Sequence, residues 1–127
     1  MAKELVSTDG APKAIGPYSQ AVKVGNMVFI SGQIALDPVT GNRTLGGIEA
    51  QTKRVLESIK AIAEKAGGSL DKIVKTTIYL KSIEDFKFVN IVYEQYFTKE
   101  FPARATVAVS DLPRGLDVEI DAIMIID

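Results

Sequence analysis

Cysteine and histidine are both absent from this chain of 127 residues, and each absence removes a class of chemistry. Without Cys there is no disulfide framework, no thiolate nucleophile and no cysteine-based zinc site. Without His, the Ser-His-Asp triad, imidazole metal ligands and the usual near-neutral general base are excluded. Carboxylates alone can hold a metal, but no D-x-D-x-D loop is present and no metal is expected. An excess of one charge is also lacking. Fifteen basic residues face 16 acidic ones, a net charge of −1 without the basic field that nucleic-acid binding uses. No apolar run approaches the ~18 residues of a membrane span. The N-terminus Met1-Ala-Lys-Glu-Leu-Val lacks a signal-peptide hydrophobic region. The expectation is a soluble, cytoplasmic protein whose partners include neither membrane nor nucleic acid.

What is present suits a packed core. The length lies near the commonest domain size, and roughly two-thirds of the extended chain's surface is expected to be buried. The 46% hydrophobic content suffices to line that core. With no repeat, low-complexity tract or linker, residues 1–127 read as a single domain.

Lys3 to Ser7 reads as a short edge strand broken by Asp9-Gly10-Ala11-Pro12. Ser19 to Val24 and Met27 to Ile34, joined by Gly25-Asn26, read as a β-hairpin, because that pair tolerates positive φ. Asp37 to Asn42 has the chemistry of a loop. From about Gly47 to Ala66 the period becomes helical. Ile48, Thr52, Val55, Leu56, Ile59, Ile62, Ala63 and Ala66 form one stripe, opposite Glu49, Lys53, Glu57, Lys60 and Glu64. Gly67-Gly68 predicts its end. A strand from Ile73 to Leu80 follows. Ser82 and Asp85 then suggest a capping box for a second helix running to about Phe97. Two last strands, Arg104 to Ser110 and Leu116 to Ile126, complete an α+β pattern: a mixed sheet with both helices on one face.

Period-two alternation divides the last strands. Ala103, Ala105, Val107 and Val109 oppose Arg104, Thr106, Ala108 and Ser110, while Leu116 to Ile126 in steps of two oppose Asp117, Glu119, Asp121, Ile123 and Ile125. The aliphatic faces are expected under the helices, leaving Arg104, Glu119, Ile123 and Ile125 on an uncovered face. Another subunit is the simplest cover for it; a solvated sheet with two stray aliphatic residues is the alternative. Whether Arg104 and Glu119 stand on adjacent strands is open at this level.

Several residues there have chemical potential. The Arg104 guanidinium can hold a carboxylate bidentately, or form a structural ion pair. Glu119 can orient or deprotonate water if desolvated, or simply face solvent. Asn90 interrupts the apolar stripe Phe86, Val89, Tyr93, Phe97, where its amide either bonds a loop carbonyl or shapes a pocket. Gly16-Pro17-Tyr18-Ser19 is a stiff turn presenting a phenol, and Ser31-Gly32 puts a hydroxyl beside a position of close backbone approach.

G-P-Y-S-Q-A at 16–21, F-I-S-G-Q-I at 29–34, T-K-R-V-L-E-S-I at 52–59, V-K-T-T-I-Y-L at 74–80, F-P-A-R-A-T-V at 101–107 and V-E-I-D-A-I at 118–123 run in order through the chain. Together they resemble the Rid/YjgF family of imine deaminases. The resemblance implies a chorismate-mutase-like fold and a homotrimer with sites in the clefts between subunits. It implies hydrolysis of small 2-imino acids, such as 2-iminopropanoate and 2-iminobutanoate, to 2-oxo acids and ammonia. In the family these imines come from enamines released by pyridoxal-phosphate-dependent dehydratases, and the hydrolysis itself needs no metal or cofactor. The family's carboxylate-binding arginine falls on Arg104 and its water-positioning acid on Glu119. Its pocket tyrosine, serine and asparagine fall on Tyr18, Ser31 and Asn90. Thr106 stands where many members carry Cys. Competing readings are a ribonuclease or translation inhibitor, a non-catalytic small-molecule binder or chaperone on the same scaffold, and a chorismate mutase.

Overall fold

The computed structural model describes residues 2–127. Six strands form one sheet: β1 (Lys3–Val6), β2 (Ala21–Val24), β3 (Met27–Gln33), β4 (Ile73–Leu80), β5 (Ala103–Ala108) and β6 (Val118–Ile125). Two α-helices, α1 (Ile48–Lys65) and α2 (Phe86–Tyr96), complete the α+β fold. The spatial order is β1-β2-β3-β6-β4-β5, antiparallel throughout except for β4 and β5. Parallel neighbours need a crossover rather than a hairpin, and α2 supplies it.

The local chemistry explains most boundaries. The β2–β3 hairpin closes through Gly25 at φ 60°, with Val24 opposite Met27. Helix α1 ends in a full Schellman motif: Gly67 N–H donates to the Glu64 carbonyl, Gly68 N–H to the Ala63 carbonyl, and Gly67 takes φ 96°. The expected stripe of α1 is buried through Thr52, Val55, Leu56, Ile59, Ile62 and Ala63. It packs with Val89 of α2 onto Val28, Ile78, Leu80, Val118, Ile120 and Met124, all fully enclosed. Each such aliphatic side chain contributes about 1.5–3 kcal/mol by leaving water.

Two expectations fail. The capping box does not form: Ile83–Asp85 is a short 3-10 turn before α2, and only the Ser82 hydroxyl engages a backbone N–H, that of Glu84 at 3.4 Å. Asp85 makes no side-chain cap bond, because the tighter turn offers it no reciprocal donor. The faces of β5 are also reversed. Register pairs Arg104 with Thr76, Thr106 with Ile78 and Ala108 with Leu80, which puts Arg104 and Thr106 on the helix side. Ala103, Ala105 and Val107 take the open side. The reason is position. β5 lies at the edge of the sheet and none of its residues is buried, so core burial does not select which face is apolar.

The open face carries the expected Ile123 and Ile125 and further apolar groups besides. Register aligns Leu5, Val22, Phe29 and Ile123 in one row, and Val24, Met27 and Ile125 in the next. Phe29 is 42% exposed and Ile125 37%.

Candidate functional site

Arg104 enters its surroundings from the start of β5 and meets one face of α2. One guanidinium nitrogen donates to Asn90 Oδ1 at 2.9 Å. The guanidinium carbon lies 5.2 Å from the centroid of the Phe86 ring and 4.9 Å from that of Tyr93. These three partners come from one helical face, at spacings of four and three residues. Asn90 thus breaks the apolar stripe to meet Arg104, rather than a loop carbonyl. A cavity of about 410 Å³ opens beside the group, lined by Asn90, Tyr93, Glu94, Phe101, Pro102 and Arg104. No carboxylate forms an ion pair with Arg104 among the described residues.

Glu119 occupies the other side of the sheet. It pairs in register with Tyr79 of β4, whose phenol donates to Asp121 Oδ2 at 2.8 Å. Burial pushes the Glu119 carboxyl above the usual carboxylate range, and the negative charge of Asp121 pushes it further. Its seat exists because β3 bulges between Ile30 and Gln33. At Gly32 a Cβ would overlap the carboxylate, with the Glu119 Cδ only 2.8 Å away. The close approach read at Ser31-Gly32 is therefore an approach to Glu119 itself.

Tyr18 joins Glu119, not Arg104. Pro12, Ile15, Tyr18, Gly32, Arg114 and Glu119 help to line a second cavity of about 440 Å³. Tyr18 is half-exposed on the turn set by Gly16, where Tyr18 N–H donates to the Gly16 carbonyl at 2.9 Å and Gly16 takes φ 114°. Ser31 fastens this turn to β3: its hydroxyl donates to the Ser19 carbonyl at 2.6 Å, and its N–H to the Gln20 carbonyl at 2.9 Å. The Ser31 proton is thus engaged within the fold. Thr106 shares the strand face of Arg104 and is part-buried.

The six sequence-derived residues therefore fall into two groups. Arg104, Asn90 and Thr106 gather on the helix side of the sheet edge, and Tyr18, Ser31 and Glu119 on the opposite side. β4 separates the strands that carry Arg104 and Glu119. One chain presents a guanidinium and a carboxyl, but does not bring them to one cavity.

Other organising residues escaped the sequence reading. The Gln20 amide accepts from Thr8 N–H at 2.8 Å and donates to the Pro12 carbonyl at 2.8 Å, shaping the loop at the cavity rim. Gln51 of α1 donates to Asp117 Oδ2 at 2.8 Å and accepts from Asp117 N–H at 2.9 Å, setting the start of β6 two residues before Glu119. Arg43 donates to the Arg114 carbonyl at 3.0 Å, where Arg114 holds a left-handed φ of 62°. None of these residues was singled out by periodicity or turn chemistry, although Gln20 lies within the stretch G-P-Y-S-Q-A.

Known proteins carry the same arrangement of sequence. The profile of the family described as endoribonuclease L-PSP matches residues 8–126. A RutC family protein of Pyrococcus abyssi is 55% identical over 123 residues, covering 97% of each chain. A human protein named 2-iminobutanoate/2-iminopropanoate deaminase is 46% identical over 123 residues, 97% of this chain and 90% of that one. A solved structure from Yersinia pestis, described as a member of the conserved Rid protein family, superposes with a TM-score of 0.96 at 47% identity, covering 98% of this chain and all of the other.

Proposed function

This chain belongs to the Rid family, whose profile carries the endoribonuclease L-PSP description, and on that footing we propose that it hydrolyses small 2-imino acids to 2-oxo acids and ammonia. The observation that carries the reading is the separation of Arg104 from Glu119. A cation with most of its hydrogen-bond donors unused lines one cavity, and a desolvated carboxyl lines another across the sheet. Each is half of a site for an anionic imine. A second copy of the chain supplies the missing half, and the apolar open face, with Phe29, Ile123, Ile125 and Val107, is the surface through which copies join. The assembly is a chorismate-mutase-like homotrimer of single-domain subunits, with three shared clefts, acting in the cytoplasm.

In each cleft, Arg104 and Asn90 of one subunit fix the substrate carboxylate. Tyr18 and Glu119 of the neighbour face the C=N carbon, and Thr106 lies beside the carboxylate on the Arg104 face. Glu119 takes a proton from water as its oxygen bonds to that carbon. The imine nitrogen gains that proton to give a carbinolamine, whose hydroxyl proton then passes to nitrogen as the C–N bond breaks, C=O forms and ammonia leaves. A carboxyl raised by burial both accepts the water proton and returns it to nitrogen. Imines hydrolyse in plain water, so holding substrate and water together supplies most of the acceleration. The family description favours RNA cleavage as a second reading, tested on the same preparations with a structured and an unstructured RNA.

The test is complementation. Arg104→Ala and Glu119→Gln are each expected to lack deaminase activity on 2-iminopropanoate generated in place. Mixed in equal amounts and allowed to exchange subunits, they form clefts with both wild-type residues, restoring about a quarter of wild-type 2-oxo acid formation under random assembly. Activity in the parent with no recovery on mixing places the two groups in different sites and overturns the shared cleft. No activity in the parent overturns the deaminase reading.

A further inference from the structure

We propose that Tyr93, pinned by Thr76, is a positioning residue: with Phe86 it forms an aromatic clamp that sets the plane of the Arg104 guanidinium before any carboxylate arrives. This rests on the carboxylate-binding role given to Arg104 above.

Arg104 is held in place without a charged partner. An arginine side chain with exposed surroundings samples many rotamers, and ordering it during binding costs affinity. Ion pairing is the usual way to order it in advance, but a carboxylate of the fold would occupy the donors and neutralise the charge needed for the ligand. Here the guanidinium stands instead between two rings, at 5.2 Å from Phe86 and 4.9 Å from Tyr93. Ring faces attract the cation without using its in-plane N–H groups. The single side-chain hydrogen bond goes to neutral Asn90. The fork that pairs with a carboxylate stays available and oriented.

The Tyr93 ring is itself fixed. Its hydroxyl shares a 2.8 Å hydrogen bond with the Thr76 hydroxyl, and its ring packs at 4.6 Å, centroid to centroid, on Phe97. Thr76 is fully buried and is the residue paired in register with Arg104. The same two strands therefore set both the root of the arginine and the anchor of the ring beneath its head. A phenol is neutral near pH 7 in any case, and burial raises that of Tyr93 further, so it serves as a neutral hydrogen-bond partner. A buried Thr–Tyr pair ending on an arginine that lines a cavity aligns a binding group as well as filling a core.

The experiment has two independent arms. In the first, the side-chain Nε–H resonance of Arg104 is identified in a ¹⁵N-labelled sample by its loss in Arg104→Lys. A proton held over two ring faces is expected upfield of the other arginines. Tyr93→Phe and Thr76→Val should diminish that displacement, and Phe86→Leu should lower it to the share set by the Tyr93 ring, 4.9 Å away. In the second arm, the affinity for pyruvate and the KM for 2-iminopropanoate are measured. Tyr93→Leu or, should that variant not fold, Phe86→Leu is expected to weaken both roughly tenfold. kcat should change far less, and affinity for the uncharged pyruvamide should not change. Tyr93→Phe, which keeps the ring, should recover most of the loss.

An Arg104 resonance without ring displacement overturns the clamp, whatever the activities. So does equal weakening of pyruvate and pyruvamide, which marks a general packing defect. A displaced resonance in a parent that neither binds pyruvate nor deaminates imines overturns the deaminase reading and, with it, the clamp's part in carboxylate binding.

Discussion

The two sides of the sheet treat charge in opposite ways. On the helix side, at the rim, Arg104 is exposed and held by neutral groups: two aromatic faces and an amide. On the open side, Glu119 is half-buried and faces further negative charge, with Asp121 on the same strand face. Ion pairs among the described residues lie elsewhere, at Lys72–Asp127 and Lys81–Asp111, both on the surface. A fold seeking only stability would not leave a half-buried carboxyl beside another carboxylate, since it lacks the partner that offsets the cost of its burial. On the function proposed above, Glu119 and the unneutralised Arg104 guanidinium are both kept for a ligand, and their opposite signs suit its two ends.

The contrast breaks most severely at Arg104. Arg104→Ala removes a bidentate, charge-assisted contact from a partly desolvated cavity. It is expected to lower kcat/KM for 2-iminopropanoate by roughly 10³-fold. Arg104→Lys should recover little of this, because an ammonium cannot reproduce two parallel N–H bonds. Steady-state kinetics with imine generated in place checks both. A wild-type rate in Arg104→Ala would remove the guanidinium from the site.

On the other side, Gly32→Ala tests whether position matters as much as charge. The added methyl would displace the Glu119 carboxylate without altering a charged group. Turnover is expected to fall roughly 10²-fold, the scale of a misplacement near 1 Å. Pyruvate affinity, set by Arg104, should stay within about twofold. Comparable losses in turnover and affinity would mean that the bulge supports the fold rather than the base.

The smallest effect is in stability. The Glu119 carboxyl is raised in the folded state, so its contribution to stability is present at acidic pH and is lost as pH rises through the raised value. Glu119→Gln should therefore melt above the parent at neutral pH, by no more than roughly 3 °C for a group still partly open to solvent. The gap should close as pH falls to the ordinary carboxyl range. Thermal denaturation between pH 4 and 8 reads it, and a constant gap would deny the desolvation.

Much of this arrangement was legible along the chain. The α1 stripe, the Gly67-Gly68 stop and the Gly25 turn depend on neighbours within a few residues, and they formed as their chemistry dictates. Gly32 was readable as a point of close approach because a glycine inside a strand has few other uses. The Ser82–Asp85 pattern misled because the same residues serve a 3-10 turn, and the backbone took the tighter turn there. The faces of β5 misled for a different reason. Alternation tells two faces apart but does not say which one is inside, and on an edge strand with no buried residue the apolar set has no claim to the core.

By itself, then, the sequence determined which segments become strands and helices, which residues can carry chemistry, and that no thiol or imidazole takes part. These follow from residue type and short-range periodicity. Only the tertiary structure decided which residues share a site. β6 inserts between β3 and β4 and lies two strands from β5, and the register matches Arg104 with buried Thr76 but Glu119 with Tyr79, so the two part to opposite faces although only 15 positions separate them. The parallel pairing of β4 and β5 likewise seats Arg104 over Thr76 and beneath α2, where two rings receive it. Strand order and register are set by how the whole core closes, which no local pattern encodes.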